Sequence, residues 1–141
     1  MGFGEAIGAF YSGYFDFENR AIRSEYWWVF LFKTLVYIAL VILMLVLASS
    51  MGGIDTSDGE VGLGLGMILI ALFYIGNIIP TIAVIVRRFH DQDKSGWMYL
   101  LVFIPYVGGL VVLIFMCIDG THGDNRFGPD PLGDNLFDTF N

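Results

Sequence analysis

Three long apolar runs decide what this chain can fold into. They cover residues 27–48, 62–86 and 97–118, and Lys33 is the only charged residue inside them. Each run is longer than the ~20 apolar residues that a helix needs to cross a hydrocarbon layer of ~30 Å. An open sheet in lipid would leave its edge backbone groups without hydrogen-bond partners, whereas a helix satisfies them internally. The sequence therefore predicts an all-α integral membrane protein with three transmembrane helices.

The composition supports a membrane environment and excludes some classes of function. Hydrophobic residues make up 56% of the 141 residues and charged residues 15%, whereas soluble domains have about half and about a quarter. The net charge is −7 and the chain has no basic patch, so we expect no nucleic-acid partner. The single cysteine, Cys117, lies in an apolar run, which favours packing over thiol chemistry.

The positions of the basic residues predict the orientation of the spans. The loop at 49–61 has no Lys or Arg and contains three acidic residues. The segments that flank the other ends of the runs contain Arg20, Arg23, Arg87, Arg88 and Lys94. The positive-inside rule then places the N-terminus and the hairpin at 87–96 in the cytoplasm. Three crossings would place the C-terminal tail on the outside.

The third run leaves a second topology open. Pro105, Gly108 and Gly109 interrupt it near its centre and can divide it into a re-entrant hairpin. Each half would have about ten residues, roughly 15 Å of helix, so surrounding protein would have to cover it. In this topology the tail returns to the cytoplasm.

The segments outside the runs predict one amphipathic helix and one irregular tail. The spacing of one helical face is followed by Phe3, Ile7, Phe10, Tyr11 and Tyr14. Residues 1–17 lack Lys and Arg, so docking against the bundle is at least as well supported as binding to the membrane surface. We predict a single membrane domain at 1–131 and a short, irregular C-terminal tail at 132–141, where turn residues recur without periodicity.

Charged residues gather in the stretch RRFHDQDKSGW at 87–97 and just before the first run. The candidate site residues are Arg20, Arg23, Glu25, Arg87, Arg88, His90, Asp91 and Lys94. Because an unpaired carboxylate at the hydrocarbon edge is costly, we expect Glu25 to pair with Arg87 or Arg88. We expect Asp91 to pair with Arg20 or Arg23.

Two interpretations of these charged residues remain. The sequence favours an ion-paired hairpin at the membrane surface, since ion-pair networks commonly produce such clusters. The alternative is a site that binds a lipid headgroup or another anionic ligand through arginine forks.

No catalytic or metal site is predicted. His90 beside Asp91 is a weak metal signal, because zinc sites use three or four protein ligands. The sequence has no serine nucleophile elbow, zinc-protease motif, Walker loop or dinucleotide-binding glycine pattern. The three runs also lack Asp and His. We therefore regard an enzyme as the weakest class and expect no cofactor and no metal.

Two features lie inside the second run. Gly62 and Gly66 form a Gly-x-x-x-Gly pattern, which predicts close helix packing within the bundle or between copies. Asn77, Pro80 and Thr81 form a polar notch. Pro80 cannot donate a backbone hydrogen bond, so kink repair explains this notch more simply than a substrate site does.

Several stretches resemble the signature of a known family. They are FDFENRAIRSEYWW at 15–28, RRFHDQDKSGW at 87–97, IPYVGG at 104–109 and GTHGDNRFGPDP at 120–131. In order and content they resemble the small bacterial inner-membrane proteins grouped as domain of unknown function 805, with Asn19 where that family usually has Gly. The resemblance implies a bacterial cytoplasmic-membrane location and a helical fold, and it implies no reaction.

Three functional hypotheses follow. The first is a small multi-pass membrane protein that acts by self-association, or by association with another membrane component, through the charged residues of its cytoplasmic face. The second is an oligomeric transporter or channel for a small solute or ion. The third is a binder or sensor of an anionic lipid or ligand. The expected partners are the lipid bilayer and a second copy or another membrane protein.

Overall fold

The structure, a computed structural model, describes residues 1–133 and is helical throughout its regular part. Its elements are α1 (Phe3–Ser12), α2 (Arg23–Ser50), α3 (Ser57–Asp91), the 3-10 helix η1 (Gly96–Phe103) and α4 (Gly108–Cys117). The described residues contain no strand, only an isolated bridge between Asn125 and Gly128. The predicted all-α fold is confirmed.

Two of the helices, α2 and α3, are long and apolar enough to cross a membrane. Their 28 and 35 residues correspond to roughly 42 Å and 52 Å of helix, more than the ~30 Å of a hydrocarbon layer. The Thr56 hydroxyl accepts the N–H of Gly59 and caps the start of α3. Acidic side chains in the first turn of α3 and basic ones in its last turn complement the helix dipole.

The prediction of a third transmembrane helix is not confirmed. Residues 96–117 form two short helices, η1 and α4, joined by a turn at 104–107. From here on we call this pair of helices the hairpin; it is distinct from the charged hairpin predicted at 87–96. A side chain at Gly108 would strike the carbonyls of Leu101 and Val102, so glycine allows the two helices to pack closely. Both ends of the hairpin lie near the C-terminal end of α3, because the Gln92 side chain donates to the carbonyl of Phe115. The third run therefore forms two short helices that turn back on each other, and not one continuous helix.

The described residues form two compact units. The first contains residues 1–29 and 79–133, and the second contains residues 30–78. The core of the first unit consists of Phe10, Ala21, Val29, Val84, Ile85, Phe89, Val112 and Met116. The predicted amphipathic helix corresponds to α1, which buries Ala6 and Phe10. It is docked on this core. Of the predicted tail at 132–141, residues 134–141 lie outside the described residues.

In the second unit α2 packs against α3 through glycines. A Cβ at Gly62 would lie 2.7 Å from the backbone nitrogen of Ala48, and a Cβ at Gly66 would strike Met44. Tyr37 and Phe73 add an edge-to-face contact with ring centroids 5.2 Å apart. Gly62 and Gly66 therefore serve packing within one chain.

The three residues of the predicted polar notch differ in their contacts and in their burial. The Asn77 side chain donates to the carbonyl of Phe73, one turn earlier, at 2.7 Å. Pro80 lies inside α3 and is fully buried, and Thr81 is half-buried. The Asn77 bond thus serves the carbonyl of Phe73 and not that of Gly76, to which Pro80 cannot donate.

Candidate functional site

The charged residues of the first unit are brought together by a backbone contact. The N–H of Ala21 donates to the carbonyl of Arg87 at 3.1 Å, which holds the segment before α2 against the end of α3. The five residues that this contact collects form the ion-pair core: Arg20, Glu25, Arg87, Arg88 and Asp91. All five are buried.

Asp91 is the centre of the ion-pair core. Its Oδ1 lies 3.0 Å from the NH2 of Arg20 and accepts the Nε–H of the same side chain at 3.1 Å. Its Oδ2 pairs with Arg88, three residues earlier on α3. The three side chains are only 2%, 6% and 0% exposed, so one carboxylate is shared by two buried guanidinium groups.

Glu25 and Arg87 form the second buried pair, with 2.8 Å between Oε1 and NH2. The guanidinium of Arg87 also packs on the end of α1, where a Cβ at Gly13 would lie 3.1 Å from NH2. The structure thus contains both of the pairs expected from the sequence, and it selects Arg87 for Glu25 and Arg20 for Asp91.

A C-terminal loop, residues 119–130, closes over the ion-pair core. Arg20 donates to the carbonyls of Thr121 at 2.7 Å and Gly123 at 2.8 Å. Thr121 in turn donates from its N–H and its hydroxyl to the carbonyl of Asp91, at 2.7 and 3.0 Å. A side chain at Gly120 would strike the Asp91 carboxylate. The loop therefore forms one hydrogen-bonded network with Arg20, Arg88 and Asp91, and the pair of Glu25 and Arg87 lies beside it.

His90 is held by packing and backbone contacts. Its ring stacks on Phe127 with centroids 3.8 Å apart and an angle of 4° between the planes. Its Nδ1 lies 3.2 Å from the carbonyl of Glu18, and the Asn125 amide donates to the His90 carbonyl at 2.9 Å. No group of three metal-ligating side chains occurs among residues 1–133. His90 thus contacts the C-terminal loop through its ring and through its carbonyl.

The other two candidate residues lie at the edge of this network. Arg23 is exposed and pairs with Asp119, and its hydrogen bond holds the pKa of that carboxyl below the ordinary value. Lys94 is half-buried, and its Nζ lies 5.6 Å from the centre of the Phe115 ring. Neither residue belongs to the ion-pair core.

A cavity of about 320 Å³ lies between the C-terminal loop and the start of α2. Its charged lining includes Arg23, Asp91, Asp119, His122 and Asp130. Both oxygens of Asp91 already face arginines, and Asp119 is occupied by Arg23. The cavity is therefore a mixed-charge recess without a spare guanidinium for an anion.

Sequence reasoning missed the C-terminal loop as part of this site. Thr121, Asn125 and Phe127 carry most of its contacts, yet none of them is charged or part of a catalytic motif. The signal was present in the stretch GTHGDNRFGPDP, which belongs to the family-like signature.

Two spanning-length apolar helices and a buried ion-pair network at the end of one of them define a small helical membrane protein. The chain belongs to the family described as protein of unknown function (DUF805), whose profile matches residues 14–129. The resemblance seen in the motifs is thereby confirmed.

Curated relatives agree with this assignment. The chain is 39% identical over 118 residues to the inner membrane protein YhaH of Escherichia coli strain K12, covering 84% of this chain and 88% of the relative. It is 35% identical over 119 residues to the inner membrane protein YhaI of the same strain, covering 84% and 87%. No solved structure matches. The relatives' names give a location and no reaction.

Proposed function

We propose that this chain is a multi-pass protein of the bacterial inner membrane that acts by associating with itself or with another membrane component. We place its contact surface at the hairpin tip, residues 104–107, instead of at the charged residues. The observation that carries the proposal is an exposed, irregular turn in an apolar segment.

Tyr106 is the apex of the hairpin tip. It is fully exposed and has a φ of +66°, a conformation that non-glycine residues rarely adopt. Within residues 1–133, no hydrogen bond involves its backbone N–H or carbonyl. Water can satisfy such groups at a soluble surface, but hydrocarbon cannot.

The composition of the hairpin favours insertion into lipid. From Trp97 to Cys117 it has no charged residue, and its two helices are apolar on all sides. Trp97 is exposed at its start, and tryptophan is enriched at headgroup depth. The ten residues of α4 extend roughly 15 Å, which brings the tip near the middle of a ~30 Å hydrocarbon layer.

Irregular backbone at that depth is tolerated only where protein or a water-filled cavity surrounds it. We infer that another protein surface covers the hairpin tip in the membrane. Association is thus a requirement of this topology.

The alternative functions have less support. All five arginines are ion-paired, so an anionic ligand would have to break a pair to gain a guanidinium. A transport pathway needs polar groups along a whole helix face, and the predicted polar notch supplies only Asn77 and Thr81. The charged residues act in this proposal as an internal closure of the fold.

The proposal also includes an orientation. The positive-inside rule places Arg20, Arg23 and the residues after α3 in the cytoplasm. The N-terminus and the C-terminal loop would then both be cytoplasmic, because Arg20 binds that loop directly.

Native mass spectrometry of the protein taken directly from membranes tests the association. We expect an oligomer or a defined complex, and we expect Tyr106→Ala to lower the bound fraction several-fold. The matched control is Tyr74→Ala, which removes an exposed tyrosine from the middle of α3 and should leave the complex intact. A bare monomer for the wild-type chain would refute the proposal.

A further inference from the structure

We propose that the occupant of the hairpin tip is a second copy of this chain in the same orientation, so that the two tips meet across a two-fold axis along the membrane normal. This inference rests on the proposed function and deepens it by naming the partner.

The charge distribution makes all copies insert the same way. The ion-pair core contains Arg20, Arg87 and Arg88, and Arg23, Lys94 and Arg126 lie near it. The loop at 51–56 between α2 and α3 and the residues beside it contain neither Lys nor Arg. Such an asymmetry fixes one orientation for every copy. Two neighbouring copies therefore present their hairpin tips at the same depth, where an unrelated partner would need a matching feature of its own.

A symmetric contact satisfies both tips at once. Most homodimers have two-fold symmetry, in which the same patch on each copy contacts itself. The Tyr106 hydroxyl can donate and accept hydrogen bonds, and the turn offers a free N–H and carbonyl at the same residue. Each copy of the turn can thus offer hydrogen-bond donors and acceptors to the Tyr106 backbone groups of the other copy.

The exposed area around the tip is of the size that a dimer needs. Phe103 is three-quarters exposed and Tyr106 fully exposed, and two such rings offer about 300–500 Å² when covered. The half-exposed aliphatic side chains beside them are Leu100, Ile104, Val107 and Leu110. Together they approach the ~800 Å² per partner of a standard interface.

Gly109 permits the close approach that this contact requires. It follows the tip on α4, and a Cβ added there would meet nothing within 4 Å. An open glycine on an apolar helix lets a second helix backbone come near. Gly108, its neighbour, is by contrast covered by η1. Gly108 thus packs within the chain, and Gly109 remains open to the proposed second copy.

Cysteine cross-linking in intact membranes tests the inference. The background is Cys117→Ser, because Cys117 is the single, exposed cysteine of the chain. In this background Tyr106→Cys should give a disulfide-linked dimer on mild oxidation, since a disulfide forms only when two Cβ atoms approach to about 4 Å. Tyr74→Cys in the same background is the matched control and should remain monomeric.

The outcomes separate this inference from the proposed function. A monomeric Tyr106→Cys, together with a native complex that contains a different protein or a dimer linked elsewhere, would overturn the tip-to-tip contact and leave association intact. Monomers in both experiments would overturn both proposals. Should Tyr106→Cys fail to accumulate, Val107→Cys at the adjacent exposed position carries the same expectation.

Discussion

At the scale of single residues, Asp91 determines how the buried charges balance. Its carboxylate faces Arg20 on one oxygen and Arg88 on the other, and its backbone carbonyl accepts two bonds from Thr121. A buried pair of this kind contributes little relative to apolar packing, yet removing one member leaves a charge without compensation. Asp91 therefore holds together the segment before α2, the end of α3 and the C-terminal loop, and it does not present a charge at the surface.

Asp91→Asn should strongly destabilise the protein, because two buried guanidinium groups would lose the carboxylate with which they form ion pairs. We expect the free energy of unfolding to fall by about 3–5 kcal/mol, as in other broken buried pairs. Unfolding by SDS in mixed micelles measures it.

The matched control for this prediction is Asp93→Asn, the same chemical change two residues later. Asp93 pairs with Arg126 at 3.2 Å, and both side chains are about half exposed. A surface pair contributes about 1 kcal/mol or less. Equal losses for the two variants would contradict the role assigned to Asp91.

At the scale of elements, the contact between α2 and α3 depends on which glycines face the partner helix. Gly62 and Gly66 do so, while a Cβ at Gly64 would meet nothing within 4 Å. Small residues at such a contact let two backbones approach in lipid, where the hydrophobic effect does not hold helices together. The Gly-x-x-x-Gly pattern thus describes a contact inside the second unit.

Gly62→Ala should force α2 and α3 apart and lower the free energy of unfolding by about 1–3 kcal/mol, the usual cost of overpacking. Gly64→Ala introduces the same methyl group two residues away into open space and should cause no loss. Thermal unfolding of the two purified variants in one detergent makes the comparison. A stable Gly62→Ala would mean that the helices do not approach as closely as described.

The C-terminal loop is the second element with a testable property. The N–H groups of Leu132 and Gly123 donate to Asp130 at 2.9 and 2.8 Å. These two hydrogen bonds, that from Leu132 first, hold the pKa of Asp130 below its ordinary value. A carboxylate with a lowered pKa in the folded state stabilises the fold above its unfolded pKa, and the contribution is lost as the pH falls through the folded pKa.

We therefore expect the loop to keep its hydrogen bonds above pH ~4, near the ordinary pKa of Asp, and to lose those of Asp130 at lower pH. The amide proton resonances of Gly123 and Leu132 should shift together with one midpoint below that value. In Asp130→Asn this shared titration should disappear. A midpoint above pH ~4 in the wild-type chain would contradict the sign.

At the scale of the whole molecule, the hairpin takes the place of the third transmembrane helix that the sequence predicts. A third crossing would separate the tail from the N-terminus, but Arg20 donates to two carbonyls of the C-terminal loop and Arg88 to the carbonyl of Ile118. These contacts require residues 20, 88 and 118–123 to share one side of the membrane. Within residues 1–133, α2 and α3 are then the only helices long and apolar enough to cross a membrane.

Topology reporters at the two ends test this arrangement. We expect a fluorescent protein to be active when fused to either terminus, because it folds in the cytoplasm. Alkaline phosphatase should be active when inserted in the loop between α2 and α3 and inactive at both termini. Phosphatase activity at the C-terminus alone would restore the three-span topology.

Much of the fold could be read from local patterns. The apolar runs predict α2 and α3 because length and hydropathy are properties of a single segment. The cost of an unpaired carboxylate near lipid predicts that Glu25 and Asp91 find arginines. The chosen partners could not be predicted, because Arg87 and Arg88 are adjacent and only the packing of α1 and α2 on α3 decides which one faces Glu25.

The sequence by itself determined that the chain is a helical membrane protein, since this property follows from composition and segment length. Only the tertiary structure decided that the third run turns back at 104–107, because a span and a hairpin have the same length and hydropathy. Three contacts hold this turn in place. Gly108 packs closely against η1, the Gln92 side chain donates to the carbonyl of Phe115, and Arg20 donates to the C-terminal loop. Those contacts also bury Arg20, Arg88 and Asp91 in one network with the C-terminal loop.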